Sequence, residues 1–311
     1  MLSRRMLLGL AAAAFTAVAQ GPAHAQDWKA SYPELTLAVI PAENASTTVD
    51  RYQPLADYLA KQVGVPVKLN VASDYAAVIE AQRAGFAQIA YYGPASYARA
   101  VITGVATEPV AVARHSNGLT GYYSVLYVKA ESPYKSIADL KGKKLALVDP
   151  NSTSGNNAPR FYLHQQGYEV DSFFGSTVYA GSHDNAVLAL AQGTADAAVN
   201  AWNSEDDSNL TRMLSRNILK NDDGSVMKKS DFRILFKSGF LPEGPYAVLS
   251  SLPGDLKQKI TAALTQMSKN DKVDFDKLSD GKDLELAPIT AKDYQGIIDM
   301  VKFNDAQRRT Q

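Results

Sequence analysis

No cysteine occurs in the 311-residue chain. Its absence excludes disulfides, a thiol nucleophile and a lipidated N-terminal cysteine. Histidine is almost as scarce. Beyond the first 25 residues only His115, His164 and His183 remain, far apart and without metal-ligand spacing. No metal and no cofactor are therefore expected. An excess of charge of either sign is missing too, with 32 Lys+Arg against 32 Asp+Glu. Nothing here points to nucleic acid or an anionic membrane as partner. After residue 19 no apolar run approaches the roughly 18–20 residues needed to span a bilayer.

What is present begins with a leader. Arg4 and Arg5 precede an apolar segment, 6–19, and then Ala23-His24-Ala25. This is the layout of a secretory signal peptide, with cleavage expected after Ala25. The stretch "SRRML" (3–7) also hints at twin-arginine export. Removing residues 1–25 removes Arg4 and Arg5 and no acid, leaving 30 basic residues against 32 acidic ones. A soluble, freely diffusing, monomeric periplasmic protein is expected. The remaining length is sufficient for two domains.

Strand-like and helix-like runs alternate. Residues 35–40 read as a strand. Residues 52–63 carry a helical stripe at Leu55, Tyr58, Leu59 and Val63. Val65, Val67, Leu69 and Val71 alternate as in a half-buried strand. A helix over 76–83 and a strand over 86–91 follow, and this order predicts an α/β fold. "AVIEAQRAGFAQIAYY" (77–92) is echoed by "AVLALAQGTADAAVNAW" (186–202). Each is an Ala-rich helix, a glycine suited to a helix C-terminus, and a strand ending in aromatics. The echo suggests two lobes of similar design. Two stretches suit crossings between them: the strong strand at 122–128, and "KSGFLPEGP" (237–245), rich in Gly and Pro and lying between strands at 232–236 and 246–249. Lobe 1 would then comprise 27–125 and 240–311, and lobe 2 126–239. Helical patterns at 255–267 and 291–303 would finish lobe 1. Each lobe is expected to be a mixed sheet flanked by helices, joined to the other by two crossover strands. Open α/β sheets bind ligands beyond the carboxyl ends of their strands, and two such edges can close on a solute by hinge motion.

The most informative segment is "VDPNSTSGNNAPRFYL" (148–163). A strand over 144–148 leads into Pro150, which biases Asp149 away from helix. Ser152, Thr153 and Ser154 would then stand at the start of a helix running to about Gln165. Free N–H groups and partial positive charge at that end suit an anion. One hydroxyl suffices for a plain N-cap. Three in a row before Gly155 suggest several oxygens of one anion. No Gly-Lys-Ser/Thr follows, so this is not a nucleotide P-loop.

"YYGPASYARA" (91–100) has a similar layout, with Tyr91 or Tyr92 at a strand's end and Ser96 before a helical run. His183, in "AGSHDNA" (180–186), occupies another strand-to-helix turn, between a strand at 176–179 and a helix at 185–192, where an imidazole can meet an oxyanion. Trp202, Asn203 and Glu205 end the second echo strand.

In these segments the sequence resembles the phosphonate-binding (PhnD-type) periplasmic solute-binding proteins of ABC transporters. "DPNSTSG" (149–155) matches that family's phosphonate loop. "SDYAAVIEA" (73–81), "YYGPASY" (91–97), "GYYSVLYV" (121–128) and "GSHDNA" (181–186) recur in the same order. The resemblance implies the two-lobe type II binding-protein fold and no catalysis. It implies Tyr75, Tyr92, Ser152, Thr153, Ser154 and His183 as holders of the phosphonate oxygens, and a membrane permease as partner. Aminoalkylphosphonate binders of the family also hold the ligand's amine with two carboxylates. This chain departs there. "LPEGPY" (241–246) has Gly244 where such members have Asp, with Glu243 shifted by one and Glu205 offset. The expected ligand is a small phosphonate or phosphite-like anion, with Trp202, Asn203, Glu205 and Glu243 as candidate contacts to its tail. Two other readings stay open at this point: a sensory binding protein that presents its ligand to a receptor, and a periplasmic hydrolase using Ser152 and His183. Against the hydrolase, no G-x-S-x-G elbow occurs and no third orienting group is evident.

Overall fold

The computed structural model describes residues 28–221 and 223–310; the expected leader, 1–25, lies outside them. The chain runs α1 (Trp28–Ser31), β1 (Leu35–Val39), α2 (Ala45–Val63), β2 (Val67–Val71), α3 (Tyr75–Arg83), β3 (Ile89–Tyr91), α4 (Pro94–Ile102) and β4 (Thr107–His115). Then come β5 (Gly121–Lys129), β6 (Lys144–Leu147), α5 (Ala158–Gln165), α6 (Val170–Phe173), β7 (Ser176–Tyr179), α7 (His183–Ala191), β8 (Ala197–Ser204), β9 (Asp207–Ser208), α8 (Asn209–Ser215) and β10 (Phe232–Lys237). The order ends with β11 (Leu241–Pro242), β12 (Tyr246–Leu249), α9 (Gly254–Asn270), α10 (Lys272–Ser279), β13 (Asp283–Ala287) and α11 (Gln295–Thr310).

Local chemistry sets the boundaries. The apolar stripe of α2 buries Tyr52, Leu55, Tyr58, Leu59 and Val63. The helix starts before that stripe because Asn44 caps it: its side chain accepts the Thr47 N–H at 3.0 Å. It ends at Gly64, whose φ of 80° suits glycine.

Two mixed sheets result. The first has the order β13-β4-β12-β3-β1-β2, and the second β10-β5-β8-β6-β7, with β11 on β5 and β9 on β8. In the first, β2, β1 and β3 are mutually parallel. In the second, β7, β6 and β8 are. The two echoed segments fall in different sheets, as α3 to β3 and α7 to β8, with Gly85 (φ 76°) and Gly193 (φ 70°) after their helices.

The chain passes between the sheets twice, through 116–120 and 238–245. The crossings lie side by side. Leu241 and Pro242 pair with Tyr122 and Gly121, and the Glu243 N–H donates to the Thr120 carbonyl at 3.0 Å. The tail helices pack differently from one another. Helices α9 and α10 pack on the first sheet's helix α2. Helix α11 instead packs on both α4 and α5, one from each half. Its Ile297, Met300 and Val301 join Ala95 and Ala98 of α4 and Ala158 of α5 in one apolar cluster. The spacing i, i+3, i+4 puts them on one face, and each buried side chain contributes about 1.5–3 kcal/mol. Asn304 adds a polar tie, donating to the Asn157 carbonyl at 2.9 Å.

Candidate functional site

The loop after β6 folds back on its own strand. The Val148 N–H donates to the Gly155 carbonyl at 2.9 Å. A Cβ on residue 155 would lie 2.3 Å from the Val148 Cβ, so this close approach requires glycine. Ser152 caps the helix that follows, accepting the Gly155 N–H at 3.0 Å. That helix opens with a π-helical turn, Thr153–Asn157, before α5. Ser152 thus does perform the plain capping role.

Thr153 does something else. Its Oγ1 accepts the Ala95 N–H from α4 at 2.8 Å. Helix α4 has Gly93 at its N-cap and no side-chain cap of its own. Thr153 supplies the missing acceptor from the opposite half of the molecule. Two phenols approach the same loop. Tyr122, at the start of β5, lines the cavity beside Thr153 and Ser154. Tyr75, at the start of α3, lines the cavity beside Ser152, and its N–H reaches the Asp149 carboxylate at 3.4 Å. Burial pushes both phenols above their ordinary pKa, so both stay protonated.

His183 is the first residue of α7. Burial lowers its pKa to about 4, and the imidazole is neutral at physiological pH. Its Nδ1 is buried without a hydrogen-bond partner among the described residues. Tyr75, Tyr122, Ser152, Thr153, Ser154 and His183 all line one cavity of about 150 Å³. Five hydroxyls and one neutral imidazole therefore converge, none of them formally charged.

Three expected residues lie elsewhere. Tyr92 is fully buried and does not line the cavity. Its hydroxyl donates to the Gln82 side chain at 3.0 Å. Adjacent residues at a strand end face opposite sides, so Tyr91 lines the cavity instead, stacked between Tyr52 and Tyr246. Trp202 faces away as well. Its ring meets Tyr123 edge-on at 5.9 Å and carries the Lys237 ammonium at 3.8 Å. Glu205 pairs with Lys229 at 2.7 Å and lines, with Trp202, a separate surface pocket. Asn203 and Glu243 do line the cavity.

The sequence reading passed over Tyr122 and a set of charged groups. Tyr122 follows Gly121 at the first crossing, and that position was the available signal. Opposite the hydroxyls, Arg51 bonds Glu43 at 2.9 Å and Asp280 at 2.6 Å. Arg212, from the other half, pairs with Asp207 at 2.8 Å and reaches Asp280 at 3.3 Å. His115 lies between Asp283 at 2.7 Å and Glu243 at 3.0 Å. Burial alone would lower the His115 pKa, but hydrogen bonds to Asp283 and Glu243 overcome it and hold it at about 10. The acidic and basic side chains lining the cavity are equal in number, Glu43, Glu243 and Asp283 with Arg51, Arg212 and His115. Further contacts bridge the halves beside the cavity. The His183 N–H donates to the Ala42 carbonyl at 2.9 Å, and the Asn44 N–H to Asp184 at 3.0 Å.

Comparison with known proteins agrees with this architecture. Residues 37–294 match the family described as ABC transporter, phosphonate, periplasmic substrate-binding protein. The chain is 31% identical over 283 residues to the phosphate-import protein PhnD of Mycolicibacterium smegmatis, covering 86% of this chain and 84% of that protein. It is 30% identical over 294 residues to the phosphonates-binding periplasmic protein of Escherichia coli, covering 89% and 81%. The structure of PhnD1 from Prochlorococcus marinus in complex with methylphosphonate has a TM-score of 0.72 to this one at 19% identity, covering 88% of this chain and 98% of that one. That likeness shows the fold, the type II arrangement of periplasmic binding proteins. With a family match over most of its length and two relatives at 30% identity or more, the chain belongs to the phosphonate-binding periplasmic substrate-binding proteins of ABC transporters.

Proposed function

We propose that this chain captures a small phosphorus oxyanion in the cavity between its two sheets and delivers it to a membrane permease. The observation that carries the reading is the convergence of Tyr75, Tyr122, Ser152, Thr153, Ser154 and neutral His183 on one cavity. A dianion can accept several hydrogen bonds at once, and bonds to a charged acceptor are worth about 1.5–3 kcal/mol each. Relatives named for phosphate and for phosphonates, and one solved with methylphosphonate, support that ligand class. In this reading 1–25 is an export leader and the mature protein works as a periplasmic monomer. Residues 27–125 with 240–311 form one lobe, and 126–239 the other. The lobes close about the paired crossings at 116–120 and 238–245.

Hydrolysis by Ser152 and His183 is disfavoured by the same geometry. Ser152 Oγ is engaged as a helix cap. The unpartnered His183 Nδ1 lacks the carboxylate that orients a triad histidine.

The test is a thermal-shift panel of phosphate, phosphite, methylphosphonate, 2-aminoethylphosphonate and sulfate. A ligand that binds only the native state raises the midpoint by mass action. At least one phosphorus compound is expected to raise it, and a panel in which none does overturns the reading.

A further inference from the structure

We propose that His115 is a resident counter-cation in the place a ligand's ammonium group would take, so that the cleft selects phosphorus oxyanions whose tail carries no amine. The inference rests on the phosphorus-oxyanion reading and adds to it the class of tail.

Two carboxylates converging on one point of a cavity recognise a cation. Here that point is already filled. His115 ends β4, Asp283 begins β13, and Glu243 lies in the second crossing. Nδ1 is 2.7 Å from Asp283 Oδ1, and Nε2 is 3.0 Å from Glu243 Oε2. All three side chains are nearly buried, with 8%, 14% and 14% of their surface exposed. A neutral imidazole has a single N–H and would set its other nitrogen's lone pair against a carboxylate oxygen. Both contacts are satisfied only when both nitrogens carry protons. The remaining oxygen of Glu243 that faces the chain takes the Gly244 N–H at 3.0 Å. Glu43, the third carboxylate on the cavity, is held by Arg51 at 2.9 Å.

Every carboxylate on the cavity thus has a cation of the chain beside it. An incoming ammonium finds each of these carboxylates already hydrogen-bonded to a cation of the chain, and meets His115 at the point where Glu243 and Asp283 converge. Gly244 closes the alternative of a further acid at that position. A Cβ there would lie 2.2 Å from the Tyr92 carbonyl oxygen.

The test compares ethylphosphonate with 2-aminoethylphosphonate, a pair differing by the amine, by calorimetric titration. The expected result is at least tenfold tighter binding of ethylphosphonate. His115→Gln, which removes the positive charge, is expected to shift the ratio at least tenfold toward the amine. If only one-carbon tails fit, methylphosphonate and aminomethylphosphonate replace the pair. A wild-type preference for the amine overturns the inference, as does an unchanged ratio in a folded variant. Should the variant not fold, nitrogen NMR of the wild-type histidine side chains at pH 7.5 decides. Both His115 nitrogens are expected to be protonated with and without methylphosphonate, and a neutral ring overturns the inference. Binding of phosphonates with an amine preference refutes this inference alone, whereas no binding of any phosphorus compound refutes the proposed function with it.

Discussion

Thr153→Ala is expected to weaken ligand binding far more than the loss of one hydroxyl suggests. The Thr153 oxygen already accepts the Ala95 N–H at 2.8 Å, so its proton is left to donate into the cavity. Alanine removes that donor, a loss of about 1.5–3 kcal/mol for a charged acceptor. It also strips Ala95 of its acceptor. Ala95 is 1% exposed and sits in a first helical turn without a side-chain cap. A buried N–H left unpaired costs about 1–3 kcal/mol, charged only to the closed arrangement. The two terms share one oxygen and will not add fully. Even so, at 1.4 kcal/mol per tenfold, a loss of roughly 10- to 1,000-fold in Kd is expected. Thr153→Ser keeps the oxygen and should stay within about tenfold of wild type. The assay is calorimetric titration with whichever phosphorus compound the thermal-shift panel identifies, together with amide exchange at Ala95. Thr153→Ala binding within about threefold of wild type would refute both the site and the cross-cleft cap.

Three further outcomes follow from the same geometry. Tyr122→Phe should weaken binding by about 1–3 kcal/mol, whereas Tyr92→Phe should leave affinity unchanged and cost about 1 kcal/mol of stability through the lost Gln82 bond; titration and urea unfolding check both, and a binding loss for Tyr92→Phe would restore it to the site. His183 has a folded pKa of about 4 against about 6.5 unfolded, so its contribution is lost as pH falls from about 6.5 to about 4, worth on the order of 3 kcal/mol. His115 has the opposite sign: held at about 10, it contributes fully below about pH 6.5 and the contribution is lost as pH rises toward 10. Urea unfolding from pH 4 to 9 should therefore lose slope on the acid side in His183→Gln and on the alkaline side in His115→Gln; parallel curves would contradict both assignments. Gly244→Ala puts a Cβ 2.2 Å from the Tyr92 carbonyl oxygen and should cost about 1–3 kcal/mol in unfolding free energy; wild-type stability would show that this crossing yields easily.

Elements with clean periodicity were legible in the sequence. The stripe of α2, the strand at 176–179 and the two glycine-closed echoes are local signals, and the structure forms them where local chemistry directs. The misses share a different cause. The strand β4 was not read, since Thr107–His115 contains Pro109 and charged residues at Glu108 and Arg114. The edge strand β13, Asp283–Ala287, has two acids in five residues. Without those strands, His115 and Asp283 stand 168 positions apart with no visible reason to meet. Tyr92 and Trp202 failed on parity. At a strand's last residues a one-position ambiguity exchanges the cavity face for the core face. Only the pairing of Tyr246 with Tyr91 and of Trp202 with Tyr123 resolves it.

The three hydroxyls of the loop now divide into separate tasks, and the division bears on selectivity. Ser152 Oγ is occupied by the Gly155 N–H and Thr153 Oγ1 by the Ala95 N–H. A hydroxyl whose oxygen already receives an N–H has its proton left to give. Tyr75 and Tyr122 are phenols held protonated by burial, so each also has a proton to give. Such a wall suits a ligand that only accepts, as the proposed fully ionised oxyanion does. The Ala95 bond exists only when α4 and the loop are together, so closure itself fixes the direction in which Thr153 donates. In the proposed function, ligand and closure would be coupled through one oxygen: an anion that draws the Thr153 proton would also strengthen the contact between the two halves.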